Sequence, residues 1–289
     1  GTLSGSGTLT ASTYALNGGT VNAGLGAGAV TVATGTTALG SAGRLNSAAT
    51  LTVNSGQLTL GGNETVASLA GSGGTIALGN SSLTVGGNSY SNSFAGLISG
   101  NGSLIKDGTG TLTLSGSNSY TGGTMLNGGT LDADDGNAFG TGSVTVGLNT
   151  ILDLLSHNVA NQIVNNGGTI LSSGALSNVD AEAGETTVGG ANSTVAQAAG
   201  TATVNVTGND VTVTSVGGSA AVNIGGTGAS VGTVSGGTVT LSNSATGSRV
   251  TTASAGTVNA NAAGVVVGTI SNAATVNVGG ANGRVATLA

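Results

Sequence analysis

Apolar and small polar residues alternate in short runs through the first half of the chain. The runs are three to six residues long and rich in β-branched side chains, and they end at glycine, asparagine or serine, as at residues 8–10, 29–32, 50–53, 57–60 and 111–114. Alternation with a period of two is typical of strands that bury one face, and the residues that end each run favour turns. No stretch combines helical spacing with good helix formers, so the sequence predicts an almost entirely β chain.

The second half of the chain repeats more regularly. Valines recur every nine residues between Val195 and Val285, and the series is interrupted only at Thr240 and Arg249. A unit of eighteen residues brings similar segments into phase, at residues 203–206, 221–224, 257–260 and 275–278. Self-similarity at a fixed period near twenty residues is typical of a solenoid.

A unit of this size cannot bury its own apolar face. Stacking the units as parallel strands about 4.8 Å apart pairs the backbone ladders and buries columns of valine, leucine and isoleucine. We therefore predict a parallel β-helix, a β-solenoid, with about 18–25 residues per coil. In this fold Val222 and Ile224 point inward and Asn223 points outward. Two outward columns are predicted, one of Asn205, Asn223, Asn259 and Asn277 and one of Thr233, Thr251, Thr269 and Thr287.

The difference in regularity between the halves predicts two domains. Residues 1–180 form an irregular solenoid with units of about twenty to twenty-five residues, and residues 181–289 form the solenoid with the 9/18-residue repeat. The seam lies where Asp180, Glu182 and Glu185 cluster. One continuous rod remains open as an alternative to two domains. Because patterned sequence is already under way at Gly1, we interpret the chain as a piece of a longer protein.

Composition excludes several classes of function. The chain has 57 glycines, no proline, cysteine or tryptophan, and only five aromatic residues. Four basic and ten acidic side chains give a formal net charge of −6, which does not suit a run of phosphates, so no nucleic-acid partner is predicted. Without cysteine there is no disulfide framework and no thiolate chemistry. No run of about 18 apolar residues occurs, so this segment is not expected to insert into a membrane.

One segment carries a recognisable motif. Residues 104–124 run LIKDGTGTLTLSGSNSYTGGT and continue to a second Gly-Thr-Leu at 129–131. This segment closely resembles the autotransporter-associated β-strand repeat, found in passenger regions of bacterial autotransporters and related large surface adhesins, and the resemblance covers about residues 94–154. It implies a parallel, right-handed β-helix that is exported and displayed outside a Gram-negative-type cell. It does not imply a reaction. The array from residue 186 onward departs from the family repeat.

The few charged residues offer candidate sites of low specificity. Asp132, Asp134 and Asp135 resemble the start of a calcium loop, but the later ligand positions hold Gly136, Asn137 and Ser143, so we interpret the segment as an acidic turn. His157 lies four residues from Asp153, which gives two elements of a catalytic triad and no more. Lys106 and Asp107 are adjacent and should point to opposite faces of a strand. No catalytic residue, cofactor-binding residue or metal ligand is predicted, and no cofactor.

These observations favour a structural and adhesive protein without enzymatic activity, located outside the cell on the bacterial surface. The predicted partners are surface glycans or proteins of a host or neighbouring cell, and further copies of the chain itself through end-to-end or lateral association. Two alternatives stay open: a self-associating subunit of an extracellular filament or matrix, because open solenoid edges and low charge favour association, and a carbohydrate-active β-helix enzyme.

Overall fold

The computed structural model describes residues 1–87 and 89–289 of the chain. The described residues form strands and turns without a helix, so none of them makes a helix long and apolar enough to cross a membrane. The strands are β1 Thr2–Leu3, β2 Thr8–Leu9, β3 Thr13–Leu16, β4 Gly19–Val21, β5 Gly24–Leu25, β6 Ala29–Val32, β7 Thr36–Leu39, β8 Thr50–Val53, β9 Gln57–Thr59, β10 Glu64–Val66, β11 Ser68–Ala70, β12 Thr75–Ala77, β13 Leu83–Val85, β14 Asn92–Phe94, β15 Leu97–Ser99, β16 Leu104–Lys106, β17 Thr111–Leu114, β18 Thr124–Leu126, β19 Thr130–Ala133, β20 Val144–Val146, β21 Ile151–Asp153, β22 Val159–Ser172, β23 Leu176–Val188, β24 Thr194–Ala198, β25 Thr203–Val206, β26 Thr212–Val216, β27 Ala221–Ile224, β28 Ser230–Leu241, β29 Arg249–Ala260, β30 Val266–Val278 and β31 Arg284–Leu288.

The chain divides into two compact units, Gly1–Asp153 and Leu154–Ala289. Strands in each unit pair in parallel with strands about one coil further along the chain, which confirms the predicted β-solenoid. The predicted domain boundary at residue 180 is placed where irregular repeats give way to regular ones. The division into compact units does not test a boundary of that kind, so it stays a prediction.

Coil length varies more in the first unit than in the second. Thr13 pairs with Ala29, sixteen residues later, and Thr75 pairs with Leu97, twenty-two residues later. The shortest coils are therefore shorter than the predicted 18 residues. The strands in them have only two to four residues, so little chain is needed to complete a turn.

The core of the first unit consists of apolar columns one residue wide. Val30 pairs with Leu51, which pairs with Leu69, and all three side chains are fully buried. Thr31 and Thr52 occupy the next position of the same strands and face outward. The two-residue alternation of the sequence thus becomes a dry inner face and a hydroxyl-bearing outer face.

The second unit repeats this arrangement with valine. Val204, Val222, Val239 and Val258 pair in that order, and each is fully buried. Val222 and Ile224 point inward and Asn223 is exposed, as predicted. Val239 replaces Thr240 in the valine column because the coil from Val222 is seventeen residues long, and the next coil restores the phase with nineteen.

A shift of one residue in the opposite direction corrects one detail of the predicted threonine column. Thr233 pairs with Thr252, not with Thr251, and Thr252 pairs with Thr269, which pairs with Thr287. The reason is that Val231 pairs with Val250, nineteen residues later, so this strand segment, with Thr233, moves by one position relative to a strict repeat of eighteen.

Turns of the second unit use a left-handed backbone conformation at recurring positions, one of which lies shortly before β24, β26, β28, β29, β30 and β31. This position adopts a positive φ of 56–73° in six successive coils, at Asn192, Asp210, Gly228, Gly247, Gly264 and Asn282. Glycine, asparagine and aspartate are the residues that adopt this conformation most readily. The glycine, asparagine and aspartate residues that follow the strands in the sequence therefore correspond to a repeated corner of the solenoid.

Candidate functional site

Lys106, the lysine of the recognised motif, faces the inside of the coil and is only 2% exposed. Its Nζ donates hydrogen bonds to the carbonyl oxygens of Asp107, Gly108 and Gly128, at 2.6, 3.1 and 3.1 Å. Burial lowers the pKa of the Lys106 ammonium, and the nearby Asp107 carboxylate opposes this shift. Because Gly128 belongs to the following coil, the side chain joins two successive turns of the solenoid.

Asp107 lies on the outer side of the same corner. Its Oδ1 accepts a hydrogen bond from Asn127 Nδ2 at 3.0 Å at the surface. Lys106 and Asp107 therefore serve opposite sides of the coil, in agreement with the predicted orientation. Both side chains connect neighbouring coils, which is a structural task rather than a catalytic one.

Asn118, also part of the motif, connects three coils. Its Oδ1 accepts a hydrogen bond from the backbone N–H of Ile98 at 2.7 Å, and its Nδ2 donates to the carbonyl oxygen of Ala138 at 2.6 Å. The side chain is almost fully buried. A buried amide with both ends satisfied fixes the register of the coils above and below it.

Tyr120 fills the core beside this amide. Its ring is fully buried and its hydroxyl shares a hydrogen bond of 2.5 Å with Thr124 Oγ1. Burial raises the pKa of the Tyr120 phenol far above its usual value, and the bond to Thr124 opposes the shift. The phenol is therefore neutral and structural at any physiological pH.

The acidic residues of the first unit lie partly on an outer column. Asp132 of β19 pairs with Thr113 of β17 and with Asp153 of β21, and Thr113 Oγ1 donates a hydrogen bond to Asp132 Oδ2 at 3.2 Å. Partial burial raises the pKa of the Asp132 carboxyl, and the carboxylates of Asp153 and Asp134 raise it further, whereas the bond from Thr113 lowers it.

The predicted resemblance of Asp132, Asp134 and Asp135 to a calcium loop is not matched by a convergent ligand set. Asp135 Oδ1 accepts a hydrogen bond from the backbone N–H of Asn137 at 2.7 Å and so closes a turn, while Asp132 belongs to the strand. Within residues 1–87 and 89–289, no group of three acidic or histidine side chains could hold a metal ion.

His157, the single histidine of the chain, lies in a turn of the second unit. Its backbone N–H donates a hydrogen bond to the carbonyl oxygen of Leu154 at 2.9 Å, which closes the turn before β22. The side chain is half-buried. Asp153, its proposed partner in a triad, is the last residue of the first unit and belongs to the outer column described above.

The outward asparagine column of the second unit forms the predicted amide ladder. Asn223 Nδ2 donates to Asn205 Oδ1 at 3.0 Å, and Asn277 Nδ2 donates to Asn259 Oδ1 at 2.9 Å. Thr240 occupies the coil between Asn223 and Asn259. At the other end, Asn205 Nδ2 donates to Glu185 Oε1 at 2.7 Å. The ladder presents uncharged amide and hydroxyl groups to solvent at each coil.

The sequence reasoning missed a groove on the outer surface of the first unit. The groove has a volume of about 810 Å³ and is lined by small, hydroxyl and amide side chains, including Thr52, Ala70, Ser93 and Thr113. These residues come from four different strands of stacked coils and are up to sixty-one positions apart in the chain. No local motif marks such a surface, because coil stacking alone brings its members together.

Stacked parallel coils with polar outer columns define a β-solenoid repeat protein. Residues 104–133 match the family model of the passenger-associated-transport-repeat, which confirms the resemblance to an autotransporter passenger repeat for this segment. Lys106, Asn118 and Tyr120 all lie within the match, and their side chains hydrogen-bond inside the coils.

A second comparison points to the same class of protein. The chain is 42% identical over 80 residues to the adhesin BmaC autotransporter of Brucella suis biovar 1 (strain 1330). The aligned part is 27% of this chain and 2% of the adhesin, so the chain spans only a small fraction of that relative. No solved structure matches the chain significantly.

Proposed function

We propose that this chain is a non-catalytic part of the stalk of a bacterial surface adhesin, and that it holds and contributes binding surfaces outside the cell. The observation that carries the proposal is the passenger repeat at residues 104–133, which joins β-solenoid coils through Lys106 and Asn118. The BmaC relative, 42% identical over 80 residues, is an adhesin, which supports adhesion rather than catalysis as the task.

The chemistry of the outer surface supports weak, repeated contacts. Asn205, Asn223 and Thr240 present amide and hydroxyl groups at successive coils. Such groups form hydrogen bonds with the hydroxyls and amides of cell-surface glycans and proteins without a high charge. Many weak contacts along a stiff array produce avidity, even where each single contact contributes little.

The motif residues support a structural task over an enzymatic one. Lys106, Asn118 and Tyr120 of the repeat are buried and hydrogen-bonded inside the coils. They stabilise the stack and are closed to a substrate.

The experiment that tests the proposal measures binding of the purified, fluorescently labelled chain to host epithelial cells and to bacterial cells. We expect saturable binding by the monomeric chain, and none by the heat-unfolded chain. Absence of binding to every cell type tested would contradict the proposal.

Two further measurements on the same preparation test the two alternative functions, the filament subunit and the carbohydrate-active enzyme. Fibres whose amount grows with protein concentration in negative-stain images, without cell binding, would favour the filament subunit. Release of reducing sugar from a polysaccharide, lost in the variant Asp153→Asn, would favour the carbohydrate-active enzyme.

A further inference from the structure

The groove on the first unit lies at a break in the strand ladder. β8 pairs with β11 over three residues, and β14 pairs with β17 over three residues. Within the described residues, a single bridge between Gly71, just after β11, and Phe94 of β14 joins these two pairs. Gly71 N–H donates to the Ser93 carbonyl oxygen, and Ala95 N–H donates to the Gly71 carbonyl oxygen. The outer surface is therefore concave between Thr52 and Thr113.

The lining of the groove offers hydrogen bonds without charge. The hydroxyls of Thr52, Ser93 and Thr111 line it, and none of the three donates or accepts a side-chain hydrogen bond within the described part of the chain. Ala70 and Ala95 add small apolar surface between these polar groups. A site of this kind suits a ligand that carries many hydroxyls on an apolar ring skeleton.

Charge around the groove decides which ligand of that kind fits. Among the described residues that line it there is no lysine, arginine, aspartate or glutamate. Thr113 forms part of the groove wall, and its hydroxyl donates a hydrogen bond to the carboxylate of Asp132, which is the charged group next to the groove in the outer column. An anionic sugar would meet this carboxylate and find no cation, so a neutral ligand is favoured.

An aromatic residue lies beside the groove. Tyr90 directly precedes Ser91, which lines the groove, and it is 68% exposed, whereas the other four aromatic side chains of the chain are buried. An exposed aromatic ring provides a flat, amphipathic surface on which the apolar face of a sugar ring can stack.

We propose that this groove binds a neutral oligosaccharide chain. The inference rests on the proposed adhesive function and narrows it to one ligand class and one place on the molecule. Hydroxyls and amides of the wall bind sugar hydroxyls, the alanines contact the ring carbons, and Tyr90 stacks at the edge.

The test applies the full chain to an array that holds neutral, sialylated and uronate-containing oligosaccharides together with a set of extended peptides. Thr52→Val removes one hydroxyl at constant shape, and Ala95→Leu fills the groove from an exposed position. Thr65→Leu is the matched control, because Thr65 is exposed on β10 of the same unit and does not line the groove.

We expect binding to neutral oligosaccharides, weakened about tenfold or more by Ala95→Leu and measurably by Thr52→Val, and unchanged in Thr65→Leu. Thermal melting confirms that each variant is folded. Binding to the acidic sugars or the peptides instead, binding that Ala95→Leu leaves intact, or no binding to the array would each overturn the inference.

Cell binding separates this inference from the proposed function. If the chain binds cells and Ala95→Leu binds them equally well, the groove assignment is wrong while the adhesive function stands. If the chain binds neither cells nor the array, both fail. Loss of cell binding in Ala95→Leu, with retention in Thr65→Leu, supports both.

Discussion

At the scale of single residues, the stacked coils depend on a few polar side chains that reach from one coil to the next. Lys106 reaches the carbonyl oxygen of Gly128, and Asn118 joins Ile98 to Ala138. Glu64 also joins two coils, but as an acceptor: its carboxylate accepts hydrogen bonds from the backbone N–H groups of Arg44 and Leu45, about one coil earlier. Each of these residues satisfies backbone groups of a neighbouring coil.

Removing the ammonium of Lys106 tests this role. In Lys106→Met the carbonyl oxygens of Asp107, Gly108 and Gly128 lose a donor, so we expect a loss of about 1–3 kcal/mol in the free energy of unfolding. Denaturant unfolding measures the loss. Thr109→Ser, a change at an exposed position three residues further along the chain, serves as the control and is expected to change stability little. Equal stability of Lys106→Met and the unchanged chain would contradict the role.

The Asp132 carboxyl gives a pH dependence of known sign. Its pKa in the folded chain is raised, chiefly by burial and further by Asp153 and Asp134, so the folded state prefers the protonated form. The stabilising contribution is complete below the unfolded pKa of about 4 and is lost as the pH rises through the folded pKa.

Asp132→Asn keeps an acceptor for Thr113 and removes the charge. We expect this variant to be more stable than the unchanged chain at pH 7, and the difference to shrink as the pH falls towards about 4. Thermal denaturation across this pH range measures it. A difference that grows as the pH falls would show that the carboxylate is stabilised in the folded chain.

At the scale of elements, each strand is specified by two-residue alternation, and each corner by glycine or asparagine. The alternation predicted the inward Val222 and Ile224 and the outward Asn223 from sequence alone, because a strand that buries one face leaves no other register. The shift at Val239 could not be predicted, because a coil of seventeen residues followed by one of nineteen depends on how the corners close.

Val222→Asp tests the inward assignment. Val222 is fully buried in a column of valines, so an aspartate there would bury a charge without a partner, and we expect a loss of about 3 kcal/mol or more. Asn223→Ser, at the exposed neighbouring position, is expected to cost little. Urea unfolding compares the two variants. If Val222→Asp unfolds at the same urea concentration as Asn223→Ser, the side chain at 222 faces solvent.

At the scale of the whole molecule, the sequence predicted the fold better than it predicted the candidate site. The fold follows from local periodicity, which any window of twenty residues reveals. The groove of the first unit is assembled from Thr52, Ala70, Ser93 and Thr113, whose neighbourhood exists only after the coils stack. Hydroxyl residues occur everywhere in this chain, so composition does not distinguish these four from the others.

The central claim is that strands one coil apart are neighbours, whereas consecutive strands of one coil are not. The chain has no cysteine, so two can be introduced in the second unit and labelled with pyrene, whose excimer emission requires two rings in contact. Asn205 and Asn223 are paired on β25 and β27, while Thr214 is exposed on β26 between them in sequence.

Excimer fluorescence of these labelled pairs is the most direct test. We predict strong excimer emission from Asn205→Cys with Asn223→Cys, and only monomer emission from Asn205→Cys with Thr214→Cys. Denaturant should abolish the excimer of the first pair. An antiparallel meander would place β25 beside β26, so excimer emission from the second pair and none from the first would contradict the stacked parallel coil.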